Sequence, residues 1–263
     1  MILDDLVAAT KTRLAASKQL VPLCSMQKLA QQAPATNPAD VYRALSGEQL
    51  AIIAEVKAAS PSKGQIATNF DPVATATAYA AAGVNAISVL TEPTYFHGDI
   101  NYLRQIRAHV NTPLLRKDFI IDAYMIDEAK AAGANLILLI VAILTDEQLR
   151  SYMQLAESLG LAALVEAHSP EEIRRALAAG ARIIGVNNRD LRDFTVDLNH
   201  SINLRPLVPS NVIFVAESGI KTPGDTAKLR DAGVDAVLIG ETLMRAKDKA
   251  ATIAALRGGT EDD

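Results

Sequence analysis

The chain has 263 residues, a formal net charge of −4, 49% hydrophobic and 21% charged residues, an ordinary globular balance that can fill a large core. The charge argues against a general nucleic-acid surface, although a cleft on an acidic protein can still hold a local positive field for a small anion. Cys24 is the only cysteine, which excludes an intrachain disulfide and a cysteine-based metal site, and no apolar run approaches the roughly 18 residues of a membrane span.

Residues 1–50 predict a helical extension. Ile2, Leu3, Leu6, Val7 and Leu14 fall at helical spacing before Pro22, a second helical stretch covers about 24–32, and a short one follows Asn37-Pro38. The same N-terminal stretch carries Asp4, Asp5, Lys11 and Arg13 and lacks the apolar core of a signal peptide, so the expected location is the cytoplasm.

From residue 51 a cadence takes over: two residues, a glycine, one or two more, then an apolar run. It reads AAGVNAISVL (81–90), AAGANLILLI (131–140), AAGARIIGV (178–186) and DAGVDAVLIG (231–240), with SLGLAALVE (158–166) a looser copy. Glycine suits the left-handed position past a helix end, and an unbroken apolar run suits a strand covered on both faces of a parallel sheet. The predicted strands are 51–57, 85–90, 113–117, 135–141, 161–166, 182–187, 212–216 and 235–240. Helix starts lie between them: Asp71-Pro72, the capping boxes Thr145–Gln148 and Ser169–Glu172, and the similar Thr222–Asp225. Alternation without a linker, in a chain close to the roughly 250 residues typical of the architecture, predicts an α/β fold: a (βα)8 TIM barrel over 51–258 behind the extension. Residues 259–263 read as a frayed tail. The connections 58–70 and about 188–198 are longer than a barrel needs, as loops over an active site often are.

The strand ends carry the chemistry. AIIAEVK puts Glu55 and Lys57 on one face; PLLRKDF ends on Lys117, LVE on Glu166, the sixth strand on Asn187 and Arg189, and VAESG on Glu217, Ser218 and Gly219. In a barrel these ends converge on one mouth, where two lysines and three glutamates suit proton transfer. AESGI and LIGET place glycines after the last two strands, where barrels often bind phosphate through backbone amides. Phe96 and Phe119 lie just past the second and third strands and could sandwich an aromatic substrate. The loop ASPSKG offers Ser60, Ser62 and Lys63. His97, His109, His168 and His200 show no metal-ligand spacing, and no metal or cofactor is expected.

These residues resemble the indole-3-glycerol phosphate synthase family of tryptophan biosynthesis. The resemblance covers nearly the whole chain through AEVKAASPSKG (54–64), LTEPTYFHG (90–98), LLRKDFI (114–120), LLIVAIL (138–144), LVEAH (164–168), GVNNRDL (185–191), VAESGI (215–220) and LIGETLMR (238–245). It implies ring closure of 1-(2-carboxyphenylamino)-1-deoxyribulose 5-phosphate with loss of carbon dioxide and water. It also implies roles: Lys117 the acid on the ketone oxygen, Glu166 the base of the dehydration, Lys57 a second acid or the partner of substrate charge, and Glu55 and Asn187 orienting groups. Arg189 would face the anthranilate carboxylate, Phe96 and Phe119 would pack the ring, and Glu217 would meet a hydroxyl. Ser60, Ser218, Gly219, Gly240 and Glu241 resemble a phosphate cradle, with Leu138 and Leu238 also among the substrate-binding positions. Glu241 stands where some members carry a small hydroxyl residue, so its carboxylate should turn away from the phosphate. His97-Gly98-Asp99 departs from the serine ending associated with that loop. The expected partner is a small phosphorylated substrate, with no nucleic acid and no membrane, bound by a monomer or weak homodimer. Two other readings remain at this point: a different phosphate-binding barrel enzyme, such as phosphoribosylanthranilate isomerase or a Schiff-base aldolase, and a non-catalytic phosphate-binding barrel.

Overall fold

A computed structural model describes residues 2–60, 64–66, 70–190 and 194–258. Ser62, Lys63 and the tail 259–263 therefore lie outside the described residues. Strands β1 (Ala51–Val56), β2 (Ala86–Leu90), β3 (Leu114–Lys117), β4 (Leu136–Ile140), β5 (Ala162–Ala167), β6 (Ile183–Asn187), β7 (Ile213–Glu217) and β8 (Ala236–Ile239) are parallel and close into a barrel, β8 pairing with β1. Each strand falls within one residue of its predicted limits. The loop after β1 holds a short antiparallel ribbon, Ala59–Ser60 with Gly64–Gln65, which the sequence did not suggest. Among the described residues no helix is long and apolar enough to cross a membrane.

The strands are apolar on both faces because there are two cores. Ile52, Ala54, Val56, Ile87 and Val89 pack outward under the helices. Ala51, Ile53, Ala86, Leu115, Leu136, Leu164 and Val215 fill the barrel itself. Small residues at 51, 86, 162 and 236 allow the larger neighbours to interdigitate in so narrow a space.

The cadence explains the bottom of the barrel. Its glycines turn the chain in the left-handed region, at φ 74° for Gly83, 89° for Gly133 and 80° for Gly233. Two residues on, an Asx side chain then clamps a neighbouring strand. Asn85 Oδ1 accepts from Ile52 N at 3.0 Å, Asn135 Oδ1 from Leu114 N at 2.9 Å, and Asp235 Oδ2 from Phe214 N at 2.8 Å. An arginine completes the first two clamps, Arg257 donating to Asn85 and Arg107 to Asn135. In the third, Arg205 donates to the carbonyl of Gly233.

The capping boxes at Thr145–Gln148 and Thr222–Asp225 form on both sides. The one expected at Ser169–Glu172 forms only by half. Ser169 Oγ accepts from Glu172 N, but the Glu172 carboxylate reaches past Ser169 to accept from His168 N at 2.7 Å.

Helices α1 (Ile2–Leu20), α2 (Leu23–Gln32) and α3 (Pro38–Leu45) wrap the barrel from top to bottom. At the top, Arg13 donates to Thr91 O and to Asp118, and Lys18 pairs with Asp122. Along the side, α2 packs against helix Ala123–Ala131. At the bottom, Val41 and Leu45 enter the interior core, and the Arg182 guanidinium stacks on Tyr42 at 4.0 Å.

Candidate active site

A cavity of about 690 Å³ opens at the C-terminal ends of the strands, and every catalytic and substrate-binding candidate assigned from the sequence borders it. Only Ser62 and Lys63, of the first loop, cannot be placed.

Lys117 is the centre of charge. Its ammonium lies 3.1 Å from Glu166 Oε2 and 2.8 Å from Glu217 Oε2. Burial opposes its charge, but Glu166, Glu217 and Glu55 outweigh that and hold its pKa far above the ordinary lysine value. The two carboxylates are driven apart. Burial works against the charge of Glu166, yet Lys117 and His168 overcome it and keep its pKa below the usual carboxylate range. Glu217 is pushed up to about 7 by burial, opposed by Lys117 and reinforced by Glu166 and Glu55. Its Oε1 is buried without a hydrogen-bond partner among the described residues. Like charges that close around one cation cannot all stay ionised at equal cost.

Glu55 and Lys57 leave β1 on the same side and pair at 2.5 Å. Gly240, across from them after β8, is packed so closely that a Cβ there would strike the Glu55 carboxylate and sit 2.8 Å from Lys57 Nζ. The glycine predicted for a phosphate loop thus also makes room for the Glu55–Lys57 pair.

Asn187 Oδ1 accepts from Arg189 N at 3.0 Å, and the Arg189 guanidinium donates to Phe194 O at 3.2 Å, which holds its planar fork at the rim. The Phe96 and Phe119 rings lie 6.2 Å apart and tilted by 36°. That separation leaves no room for a third ring, since aromatic layers need about 3.5–4.0 Å each. The expected sandwich is therefore a single aromatic wall. Glu92 sets Phe96 by accepting from the amides of Thr94, Tyr95 and Phe96, which builds the short turn Pro93–Phe96. Leu138 and Leu238 form the buried floor.

After β7 the chain turns sharply through two left-handed residues, Ser218 at φ 66° and Gly219 at φ 82°. A non-glycine residue there is strained, and such strain clusters at functional sites. Asn188 secures it. Its Nδ2 donates to Ser218 O, its Oδ1 accepts from Ser201 N, and its backbone N–H donates to Glu217 O. The Glu241 carboxylate pairs with Arg245 at 3.2 Å on its own helical turn, so its charge is compensated beside the loop glycines.

Three features were not assigned from the sequence. His168 Nε2 sits 3.0 Å from Glu166 Oε1, although the spacing that paired Glu55 with Lys57 also puts residues 166 and 168 on one face. Asn188, which lies within the GVNNRDL motif but was given no role, braces the strained turn. Behind Lys117 lies a buried network: Asp118 accepts from Arg13, Thr91, Arg116 and its neighbour Phe119 N, and Arg116 also reaches Glu128 and Met125 O. Among the described residues no group of three His, Cys, Asp or Glu side chains is placed to hold a metal ion.

A sequence model of the family described as indole-3-glycerol phosphate synthase matches residues 3–256. A protein of that name from Lacticaseibacillus paracasei is 56% identical over 257 residues, which cover 98% of this chain and 99% of the relative. One from Leuconostoc mesenteroides is 52% identical over 260 residues, again covering 98% and 99%. Among solved structures, 3-hexulose-6-phosphate synthase from Salmonella typhimurium superposes with a TM-score of 0.66 at 14% identity over 80% of this chain and 98% of its own, a likeness of fold alone.

Proposed function

Because the chain belongs to the indole-3-glycerol phosphate synthase family, we propose that Lys117, Glu166 and Lys57 divide the proton transfers of indole ring closure among themselves. The reaction is the conversion of 1-(2-carboxyphenylamino)-1-deoxyribulose 5-phosphate to indole-3-glycerol phosphate, carbon dioxide and water. The observation that supports the division most is the Lys117 ammonium held between Glu166 and Glu217 at the mouth of the barrel.

The substrate is long, anionic at both ends and aromatic at one. Its phosphate goes to the loops after β7 and β8, where Ser218, Gly219, Gly240 and Glu241 lie, with Ser60 opposite. Its ring rests on the Phe96–Phe119 wall, and its carboxylate meets the planar fork of Arg189. The ketone then falls over Lys117. The ring carbon that bears the carboxylate attacks the ketone carbon, and Lys117 gives its proton to the oxygen. The developing alkoxide is far more basic than the amine, so transfer is downhill even from a lysine of raised pKa. Carbon dioxide leaves and the ring regains aromaticity. In the dehydration Lys57 protonates the departing hydroxyl while Glu166 takes a proton from the adjacent carbon. Glu166 can return that proton to Lys117 across 3.1 Å. The cycle consumes one proton overall, taken up from solvent by Lys57, as loss of carbon dioxide from a carboxylate requires.

Glu55 orients Lys57, Asn187 orients Arg189, and Glu217 accepts from a substrate hydroxyl. The protein works in the cytoplasm, as a monomer or weak homodimer, on a small phosphorylated substrate. The test is indole fluorescence after mixing enzyme and substrate in buffer with a chelator. Lys117→Ala and Glu166→Gln should each lower kcat by roughly 10²–10⁴-fold with little change in substrate affinity. Near-parental turnover in either variant refutes its assigned role.

A further inference from the structure

Glu166 and Glu217 flank Lys117 almost symmetrically, each giving one carboxylate oxygen to the same ammonium. Their other oxygens distinguish them. Glu217 Oε1 is buried and unpartnered, whereas Glu166 Oε1 is held by His168 Nε2 at 3.0 Å. His168 is itself anchored. Its backbone N–H donates to Glu172 Oε2 at 2.7 Å, in the first turn of helix Pro170–Ala179, which Ser169 caps. An ionised carboxylate only accepts hydrogen bonds, so Nε2 carries the hydrogen.

We propose that His168 is a positioning residue: by gripping Oε1 it turns Oε2 onto Lys117 and designates Glu166, rather than Glu217, as the carboxylate that stays ionised and receives the proton of the dehydration. This rests on the reading of Glu166 as the base. The other charges around the pair are Lys117 on β3, Glu217 on β7, Glu55 and Lys57 on β1, and Glu172 on the following helix. Further out, Arg175 pairs with Asp146, and Arg174 with Glu171. Burial opposes a charge on His168, but its hydrogen bond and attraction to Glu166, with Glu172 and Glu217 behind, outweigh that and raise its pKa above the ordinary value. Protonated His168 then gives Glu166 a second cationic neighbour beside Lys117, whereas among the described residues the Glu217 carboxylate is bonded only to Lys117.

The experiment measures kcat and KM from about pH 3 to 9, a range that reaches below the ordinary carboxylate values where Glu166 titrates, with thermal unfolding at each pH, for the parent, His168→Ala and His168→Gln. His168→Ala should lower kcat at least about tenfold with KM within about twofold. Its acid limb should move to higher pH, because Glu166 loses a cation and becomes easier to protonate. Glutamine restores a neutral donor but no charge. It should recover most of kcat and leave the acid limb shifted. Unchanged kcat and limb in His168→Ala would overturn the inference. So would equal losses in both variants with an unmoved limb, which would make His168 a packing residue. If His168→Ala does not fold, His168→Gln decides: a parental acid limb overturns the inference. The underlying reading fails separately, through a Glu166→Gln enzyme that retains turnover. An inactive Glu166→Gln with a silent His168→Ala sinks only the role of His168.

Discussion

Replacing Glu217 by glutamine should stabilise the protein at high pH while weakening it as a catalyst. The Glu217 carboxyl is pushed up to about 7, by burial first, against the pull of Lys117 and with the repulsion of Glu166 and Glu55. In the unfolded chain it titrates near 4.3, as an ordinary glutamate does. A group whose folded pKa is raised contributes stability that is fully present below the unfolded value and lost as pH rises through the folded one. At 1.36 kcal/mol per unit the whole effect is roughly 4 kcal/mol, of which roughly 2–3 kcal/mol develops between about pH 5 and pH 8. Glutamine keeps the shape and an oxygen to accept from Lys117, but it does not titrate. Lys117 retains Glu166 at 3.1 Å. The stability difference between Glu217→Gln and the parent should therefore grow in favour of the variant by that amount across this range. Urea unfolding at fixed pH steps measures it directly through the shift in midpoint at constant slope. A difference that stays flat with pH, or that turns against the variant as pH rises, would refute the assignment of Glu217 as the carboxyl raised by burial. Indole fluorescence on the same samples should show a lower kcat, since the variant cannot accept from a substrate hydroxyl as a charged group does.

Gly240→Ala adds a methyl where Glu55 and Lys57 already sit, at a φ of −110° that any residue tolerates, so its effect isolates the collision. It should cost roughly 1–3 kcal/mol in chemical unfolding and lower kcat as Lys57 is displaced, whereas Gly47→Ala, with open space around it, should stay within about 0.5 kcal/mol and keep parental turnover. Arg189→Lys replaces a planar fork by a point charge, so KM should rise about tenfold with kcat less affected, while a substrate analogue without the ring carboxylate should bind both enzymes alike.

The barrel was legible because its repeating unit is local. A glycine past each helix end, a two-sided apolar run and a capped helix recur at spacings that need no knowledge of tertiary structure. The charged strand ends were legible for a related reason: once the strands are parallel and closed, their exits must share a mouth. What was not legible depends on reach across space. The two phenylalanines were placed at the mouth correctly, but whether they face each other or a gap between them is set by the Glu92-capped turn. The half-formed box at Ser169 depends on a carboxylate that finds His168 instead. The path of the extension depends on Arg13 meeting an aspartate 105 residues away. His168 shows no metal-ligand spacing, and its only signal in the sequence is the two-residue spacing that puts it on the same strand face as Glu166.

The two ends of the barrel treat buried polar groups in opposite ways, and this separates stability from chemistry. At the bottom the Asx and arginine side chains of the cadence meet strand amides and loop carbonyls, so the fold itself supplies their partners. The network behind Lys117 is just as closed: Arg116, almost fully buried, is met by Asp118, Glu128, Thr91 and the Met125 carbonyl. One residue further along the same strand direction, satisfaction stops. Lys117 is held by more negative charge than one cation can balance, Glu217 keeps an unpaired oxygen, and Ser218 holds a left-handed backbone. Such conflicts cost stability and persist where a ligand relieves them. A hydroxyl donating to Glu217 Oε1 would relieve the unpaired oxygen directly. The rigid network one residue back is what lets the site hold this tension without rearranging, because Asp118 fixes the backbone from which Lys117 projects.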